Sequence, residues 1–317
     1  MAAARLGDSL PALAALSGAG ERSRGPLAPD AARPSLPRDL LALGKPHITL
    51  LSVLTGAAGM WLAPGPAASL RVTVAVLLGL ALLVAGAHAL NQVLERDVDA
   101  LMERTRQRPL PGGRLRPGTA LVAGLLAAGL ALGILGLQVN PITAALGAVA
   151  LVLYVLVYTP LKRVTPHALL VGAIPGAMPA LMGWTAASGS VGVPGLWLFL
   201  VVAIWQVPHF VAIAIFRRDD YARAGIRTIV GVHGEHVAKI QALLFSGWLV
   251  LAGLALAPAV GLLTLLCAFG AGAAMWLGAL RGLRPGAGVA WARRFFRLSL
   301  IYLPALLLAL GVERLWR

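Results

Sequence analysis

The 317 residues contain one cysteine, Cys267, which excludes a disulfide within the chain and any cysteine-based metal centre. Charge is scarce as well. Asp, Glu, Lys and Arg together make up 12% of the sequence, about half the share that a water-soluble domain carries. Apolar residues fill the gap, at 59% of the chain with a mean hydropathy of +0.83. Such a chain is expected to have a bilayer as its solvent. The formal net charge of +15 would suggest nucleic acid as a partner for a soluble protein. In a membrane protein it concerns topology instead, and no nucleic acid is expected.

A bilayer core takes about 20 apolar residues per helix, and the sequence supplies such runs repeatedly. Nine spans are expected, over residues 46–64, 72–94, 120–139, 141–158, 167–187, 196–216, 240–258, 259–280 and 296–312. The fold class is therefore an all-α polytopic membrane bundle, with two four-helix units and a ninth helix as a weak internal duplication. Lys and Arg alternate by side. They gather before the first span (Lys45) and after the second, fourth, sixth and eighth, whereas the opposite connections have Arg71 as their main cation. By the positive-inside rule the N-terminus is expected in the cytoplasm. Residues 1–38, rich in Ala, Pro, Gly and Arg, are expected to be a disordered cytoplasmic tail ahead of a transmembrane domain over 39–317. Asp8, Glu21 and Asp30 argue against a transit peptide, which is poor in acids.

Polar chemistry is concentrated in two long connections, 95–118 and 217–238. Asn91, Glu95 and Asp99 lie four residues apart, so on a helix each is turned by about 40° and raised by about 6 Å from the last. Three oxygen-bearing side chains then share one stripe. Hard divalent ions such as Mg²⁺ take one or two carboxylates together with phosphate oxygens, and this stripe offers that set. A solvated helix end balanced by neighbouring arginines would use the same residues, although acids near a membrane helix are costly unless paired or used. Asp97 falls off the stripe and suits an ion pair.

Arg104, Arg106 and Arg108 recur every second residue before Pro109. Guanidinium forks bind phosphate oxygens in pairs, but positive-inside topology alone also calls for arginine. In the other half, Arg218, Asp219, Asp220 and Tyr221 follow the sixth span. The acids there would close a two-sided clamp on metal and diphosphate, or simply balance charge. His209, in Trp205-Gln-Val-Pro-His209, lies inside a span behind a proline; contact with a substrate and an internal hydrogen bond are both open to it. His88 shares the face of Asn91. Tyr158 and Lys162 end the fourth span, where Lys162 would reach a diphosphate and Tyr158 a prenyl chain, or both would anchor the interface.

These motifs resemble the intramembrane, UbiA-type prenyltransferase superfamily. Asn91 through Asp99 with Arg104-Thr105 and Arg108-Pro109-Leu110 is similar to its first Asp-rich motif, and the resemblance runs from Lys45 nearly to the end. Trp205-Gln-Val-Pro-His209, Asp220-Tyr221, Tyr158-Thr-Pro-Leu-Lys162 and Gly176-Ala-Met-Pro179 look like its heme O synthase branch. The resemblance implies farnesyl diphosphate and protoheme IX (heme B) as substrates and Mg²⁺ as cofactor. It also implies a downstream heme A synthase as partner and a cell-membrane location. Asn91, Glu95, Asp99 and Asp220 would hold metal. Arg104, Arg108 and Lys162 would act on the diphosphate, and Tyr158, Trp205, His209, Arg218, Asp219 and Tyr221 would meet substrate. Three departures stand out: Glu95 replaces a usual Asp, Ala224 stands where quinone-pathway relatives have a spaced second acid, and residues 227–230 lack the expected prolines. A prenyltransferase for aromatic or quinone precursors would share the first motif. A transporter would place its ionisable residues near mid-membrane on broken helices rather than at one face.

Overall fold

A computed structural model describes residues 35–316. All regular structure there is helical. Most of the tail expected over 1–38 lies outside the described residues, and its last three positions belong to the first helix, α1 (Leu36–Leu43). Then come α2 (Pro46–Leu62), α3 (Leu70–Leu94), the short α4 (Arg96–Leu101), α5 (Pro117–Gln138) and α6 (Pro141–Leu161). The second half holds α7 (Ala168–Ser188), α8 (Val193–Phe216), the short α9 (Arg218–Arg223), α10 (Ile229–Leu254), α11 (Leu262–Gly282) and α12 (Val289–Trp316). Eight of these are long and apolar enough to cross a bilayer; α1 and α2 meet at a 49° bend and are long and apolar enough only when taken together, which brings the number of spans to eight or nine among the described residues. The chain is an integral, multi-pass membrane protein.

Local chemistry sets the ends. Pro46, Pro117 and Pro141 begin helices, where a missing N–H is no loss. Ser69, Asn140 and Thr228 accept hydrogen bonds from the first turns of α3, α6 and α10. The cap at Thr228 explains the largest difference from the expected spans. Helix α10 begins at Ile229, well before residue 240, because the polar stretch between them forms helical turns on both sides of Gly234, where φ 84° and ψ 168° kink the chain, and Glu235 pairs with Lys239 at 2.8 Å beyond the kink.

The core is divided. Buried residues of α8, α10, α11 and α12 form one apolar cluster around Leu198, Val211, Leu249 and Tyr302, while Val76, Leu80, Leu135 and Met182 anchor a second one between α3, α5 and α7. Helices α2 and α7 meet through backbone: a methyl group placed on Gly183 would collide with the Gly56 carbonyl oxygen. Small residues give membrane helices this closeness, where no hydrophobic drive separates helix from lipid.

The two ends of the bundle differ in chemistry. At one end Arg71 donates to Gln138 at 3.0 Å, Arg314 to the Gly65 carbonyl at 3.0 Å, and Glu313 caps α11 through the Gly261 and Thr264 amides. The other end carries the loops 102–116 and 224–228, which meet each other, α9 and the end of α6. Val98 and Met102 pack on Ala224, the Glu103 amide donates to Asp220 at 3.4 Å, and the Arg227 amide donates to the Lys162 carbonyl at 3.0 Å.

Candidate active site

Beneath the joined loops lies a cavity of about 400 Å³, reaching from the charged end down between α2, α3, α6, α7 and α8. Its deep wall is apolar, with Leu51, Leu80, Leu83, Met182 and Val202, and its upper wall is ionic. Lys45, Arg104, Arg108, Lys162 and Arg227 face Glu95 and Asp99 there. Four of these cations, Arg104, Arg108, Lys162 and Arg227, already outnumber the two carboxylates without Lys45 and leave a net positive mouth, suited to an anion with several charges.

The four-residue stripe forms as its spacing predicts, and across a break. Helix α3 ends at Leu94 and α4 starts at Arg96, with Glu95 between them at φ −101°, ψ 8°. Backbone continuity survives nonetheless: the Glu95 amide donates to the Asn91 carbonyl at 2.9 Å, and the Asp99 amide to the Glu95 carbonyl at 2.7 Å. Asn91 Nδ2 donates to Glu95 Oε2 and to Thr159 Oγ1, both at 2.9 Å. Lys162 Nζ sits 2.6 Å from Glu95 Oε1, and Arg108 Nη1 sits 2.7 Å from Asp99 Oδ2. Asp97 is instead 84% exposed and pairs with Arg96 at 3.0 Å, the ion-pair role its position off the stripe implied.

No group of three or more His, Cys, Asp or Glu among the described residues is arranged as a ready metal cage. The donor set nevertheless fits a hard divalent ion that brings its remaining oxygens from a diphosphate, because two carboxylates and one amide converge within a single stripe. Both carboxylates are meanwhile held by cations, as they must be when buried.

Helix α6 contributes through an irregularity. Residues Leu153–Tyr158 form a π turn, a feature that often marks functional sites. Tyr154 and Tyr158 fall within it, and both line the cavity. Tyr158 lies under the Lys162 ammonium, 4.7 Å from ring centroid to Nζ, and Thr159 Oγ1 donates to the Tyr154 carbonyl at 2.8 Å, filling part of the loosened ladder.

The expected second acidic motif is placed otherwise. Arg218 and Asp219 are exposed, with Asp219 at 83%, and pair only with each other at 3.5 Å among the described ion pairs. Asp220 is buried, but it bonds Arg223, Arg217 and the Glu103 amide and does not line the cavity; Tyr221 does. Trp205 lines the cavity and donates to the Ser299 carbonyl at 2.9 Å. His209 turns away from it. Its Nδ1 is 2.8 Å from Ser299 Oγ, and its ring stacks on Trp205 with centroids 4.9 Å apart.

Three cavity residues escaped the sequence reading. Lys45 is the one non-glycine residue at positive φ (47°) among those described, at the junction between α1 and α2. Withdrawal from water, reinforced by Arg108 and Lys162, lowers its pKa to about 7. A Lys-Pro pair before a span was the available signal. Arg227 reaches the cavity from its loop without a local pattern to announce it, and Tyr154 is recognised only through the π turn.

The profile of the UbiA prenyltransferase family matches residues 52–301. The chain belongs to that family. It is 47% identical over 291 residues to a protoheme IX farnesyltransferase of Anaeromyxobacter sp. (strain Fw109-5), covering 88% of this chain and 95% of that one. It is 43% identical over 297 residues to a protoheme IX farnesyltransferase of Myxococcus xanthus (strain DK1622), covering 90% and 97%. Among solved structures, a UbiA homolog from Archaeoglobus fulgidus bound to GPP and Mg²⁺ superposes with a TM-score of 0.67 at 17% identity, over 86% of this chain and 99% of that one. A digeranylgeranylglyceryl phosphate synthase superposes with 0.71 at 15% identity, over 88% and 98%. These two likenesses establish the fold. A UbiA prenyltransferase handles a donor that is charged at one end and oily along its length, which is the division of this cavity.

Proposed function

We propose that this UbiA prenyltransferase is a heme O synthase, which moves the farnesyl group of farnesyl diphosphate onto a vinyl group of protoheme IX and releases diphosphate. The observation that carries the reading is one cavity with a cationic mouth around Asn91, Glu95 and Asp99 above an apolar wall. The 47% identity to a protoheme IX farnesyltransferase supports the choice of acceptor.

Asn91, Glu95 and Asp99 would hold Mg²⁺ together with the diphosphate; bound there, the ion supplies charge neutralisation on the departing group. Lys162, Arg104 and Arg108 work to the same end as fixed donors already aimed at the mouth. As the C–O bond of the donor breaks, both electrons leave with the diphosphate and an allylic cation remains. Tyr154 and Tyr158 line the wall beside the stripe, so ring faces are at hand for that cation. The apolar wall keeps bulk water away until the vinyl group has attacked. The new C–C bond moves the positive charge to the carbon next to the pyrrole. One water molecule adds there and loses a proton, which leaves a hydroxyethylfarnesyl side chain.

The charged loops would face the cytoplasm, with the N-terminus on that side of the cell membrane, where a soluble diphosphate arrives. The test is turnover by detergent-purified protein given heme B, farnesyl diphosphate and Mg²⁺, followed by product mass. Farnesylated hydroxyethyl heme is expected without any ion gradient, and it is expected to vanish in Asp99→Ala. Turnover of an aromatic acceptor with none on heme would assign the chain to another branch of the family.

A further inference from the structure

His88 is buried to 7% exposure, lines the cavity, and leaves Nε2 with no hydrogen-bond partner. A buried imidazole nitrogen without a partner is rare in a well-packed interior and calls for a ligand. The other ring nitrogen is already engaged: Nδ1 is 3.1 Å from the Tyr154 hydroxyl, and the two rings meet edge to face with centroids 5.6 Å apart. Orientation through one nitrogen, with the second left free, is how proteins prepare a histidine to bind metal. When Nδ1 carries the proton and donates it to the tyrosine oxygen, Nε2 keeps its lone pair for coordination.

Position adds a second argument. His88 precedes Asn91 by three residues on α3, about 4.5 Å deeper than the metal stripe and on the same side of the helix. A group bound at Nε2 would lie just below the carbon that leaves the diphosphate. Among the described residues His88 is also the one histidine in the cavity wall. His209, the histidine whose sequence context suggested substrate contact, is occupied by Ser299 and stacked between Trp205 and Phe296 outside that wall.

Resting on the heme O synthase reading, we propose that His88 is an axial ligand to the iron of the acceptor heme, held in orientation by Tyr154. Porphyrin iron accepts a neutral imidazole at an open axial position. Tethering the iron there fixes the distance of the ring edge from the stripe and limits the vinyl groups that reach the allylic carbon. Selection of one vinyl is then a matter of where the iron is pinned.

The experiment is optical and EPR spectroscopy of the purified chain loaded with heme B in the absence of prenyl donor. A histidine-ligated spectrum is expected for the wild type and for His209→Ala. His88→Gly should lose it, bind heme at least tenfold more weakly, and regain the spectrum when imidazole is added. Farnesyl diphosphate affinity and elution volume of His88→Gly should match the wild type, which separates ligand loss from misfolding. An unchanged heme spectrum in His88→Gly, or loss of the spectrum in His209→Ala alone, overturns the assignment while leaving the heme O synthase reading intact. Failure of the wild type to bind heme at all would overturn both.

Discussion

Lys162 Nζ and Glu95 Oε1 are 2.6 Å apart, and one turn further along the stripe Arg108 Nη1 and Asp99 Oδ2 are 2.7 Å apart. Each pair joins a carboxylate of the stripe to a cation from a neighbouring element. The buried carboxylates are thereby each paired with a cation, and the same two cations line the cavity mouth. On the heme O synthase reading Lys162→Met removes a donor to the leaving group, and a loss of about 10²–10³ in kcat is expected. It also leaves Glu95 buried without its cation, at a cost of about 3–5 kcal/mol. Steady-state kinetics on heme B, paired with thermal unfolding in detergent, separates the two effects.

Asp97 and Asp99 are two residues apart and predict opposite outcomes. Asp97→Asn breaks an exposed pair with Arg96, worth at most about 1 kcal/mol, and activity should stay within about twofold. Asp99→Asn removes a cavity carboxylate and should depress turnover at least a hundredfold. Equal losses would show that charge in the loop, rather than the stripe, matters.

Lys45 should give diphosphate binding a pH dependence. Its pKa, lowered to about 7, makes the ammonium predominant below that pH and the neutral amine predominant above it. Binding an anion favours the ammonium, so affinity should fall as pH rises from 6 to 8, by about tenfold if the charge contributes about 1.4 kcal/mol. Stability should move the other way. The unfolded chain holds this proton up to its ordinary pKa, so between about 7 and 10 the unfolded state binds more protons and stability rises with pH. Lys45→Arg stays charged throughout, and isothermal titration should find its affinity flat over the same range.

Asp220 ties the loop 102–116 to α9 by accepting from the Glu103 amide, and Arg223 of the same helix also donates to it. In Asp220→Ala the amides of residues 102–106 should exchange hydrogen faster, while those of α7 keep their protection. Mass-detected exchange reads both at once.

Gly183→Ala tests the helix contact that holds the cavity walls. The added methyl meets the Gly56 carbonyl oxygen on α2, and overpacking of this kind costs about 1–3 kcal/mol. A lower Tm is expected, with farnesyl diphosphate affinity falling as α2 is pushed outward. An unchanged Tm would mean that the helices separate freely.

The parts of this fold legible in the sequence are those fixed by local chemistry. Prolines at helix starts and unbroken apolar runs locate most spans, and the four-residue spacing of Asn91, Glu95 and Asp99 survives even a helix break, because the backbone bonds bridge it. Hydropathy alone discards residues 229–239 and so starts α10 late, whereas a cap at Thr228 and the Glu235–Lys239 pair support helical turns on either side of Gly234. Contacts between distant residues left no trace. His88 and Tyr154 are 66 positions apart, and no pattern near His209 reveals that Ser299 lies opposite. The acidic pair at 219 and 220 looked like one unit, yet one carboxylate is exposed and the other is buried. That separation depends on the loop against which they pack.

The π turn in α6 has a consequence for how this helix tolerates changes in length. A π turn holds one residue more than the α-helical path it replaces, so 153–158 is a reserve of chain that the helix can surrender. Deleting one residue there would let the segment wind back into regular α-helix while Lys162, beyond the turn, keeps its place beside Glu95. The disturbance would be confined to the tyrosines, and Tyr154 would part from His88. Elsewhere in α6 the same deletion would rotate every later side chain by about 100° and carry Lys162 away from the mouth. A relative one residue shorter in this helix would therefore keep the charged half of the site and arrange the half beneath it differently.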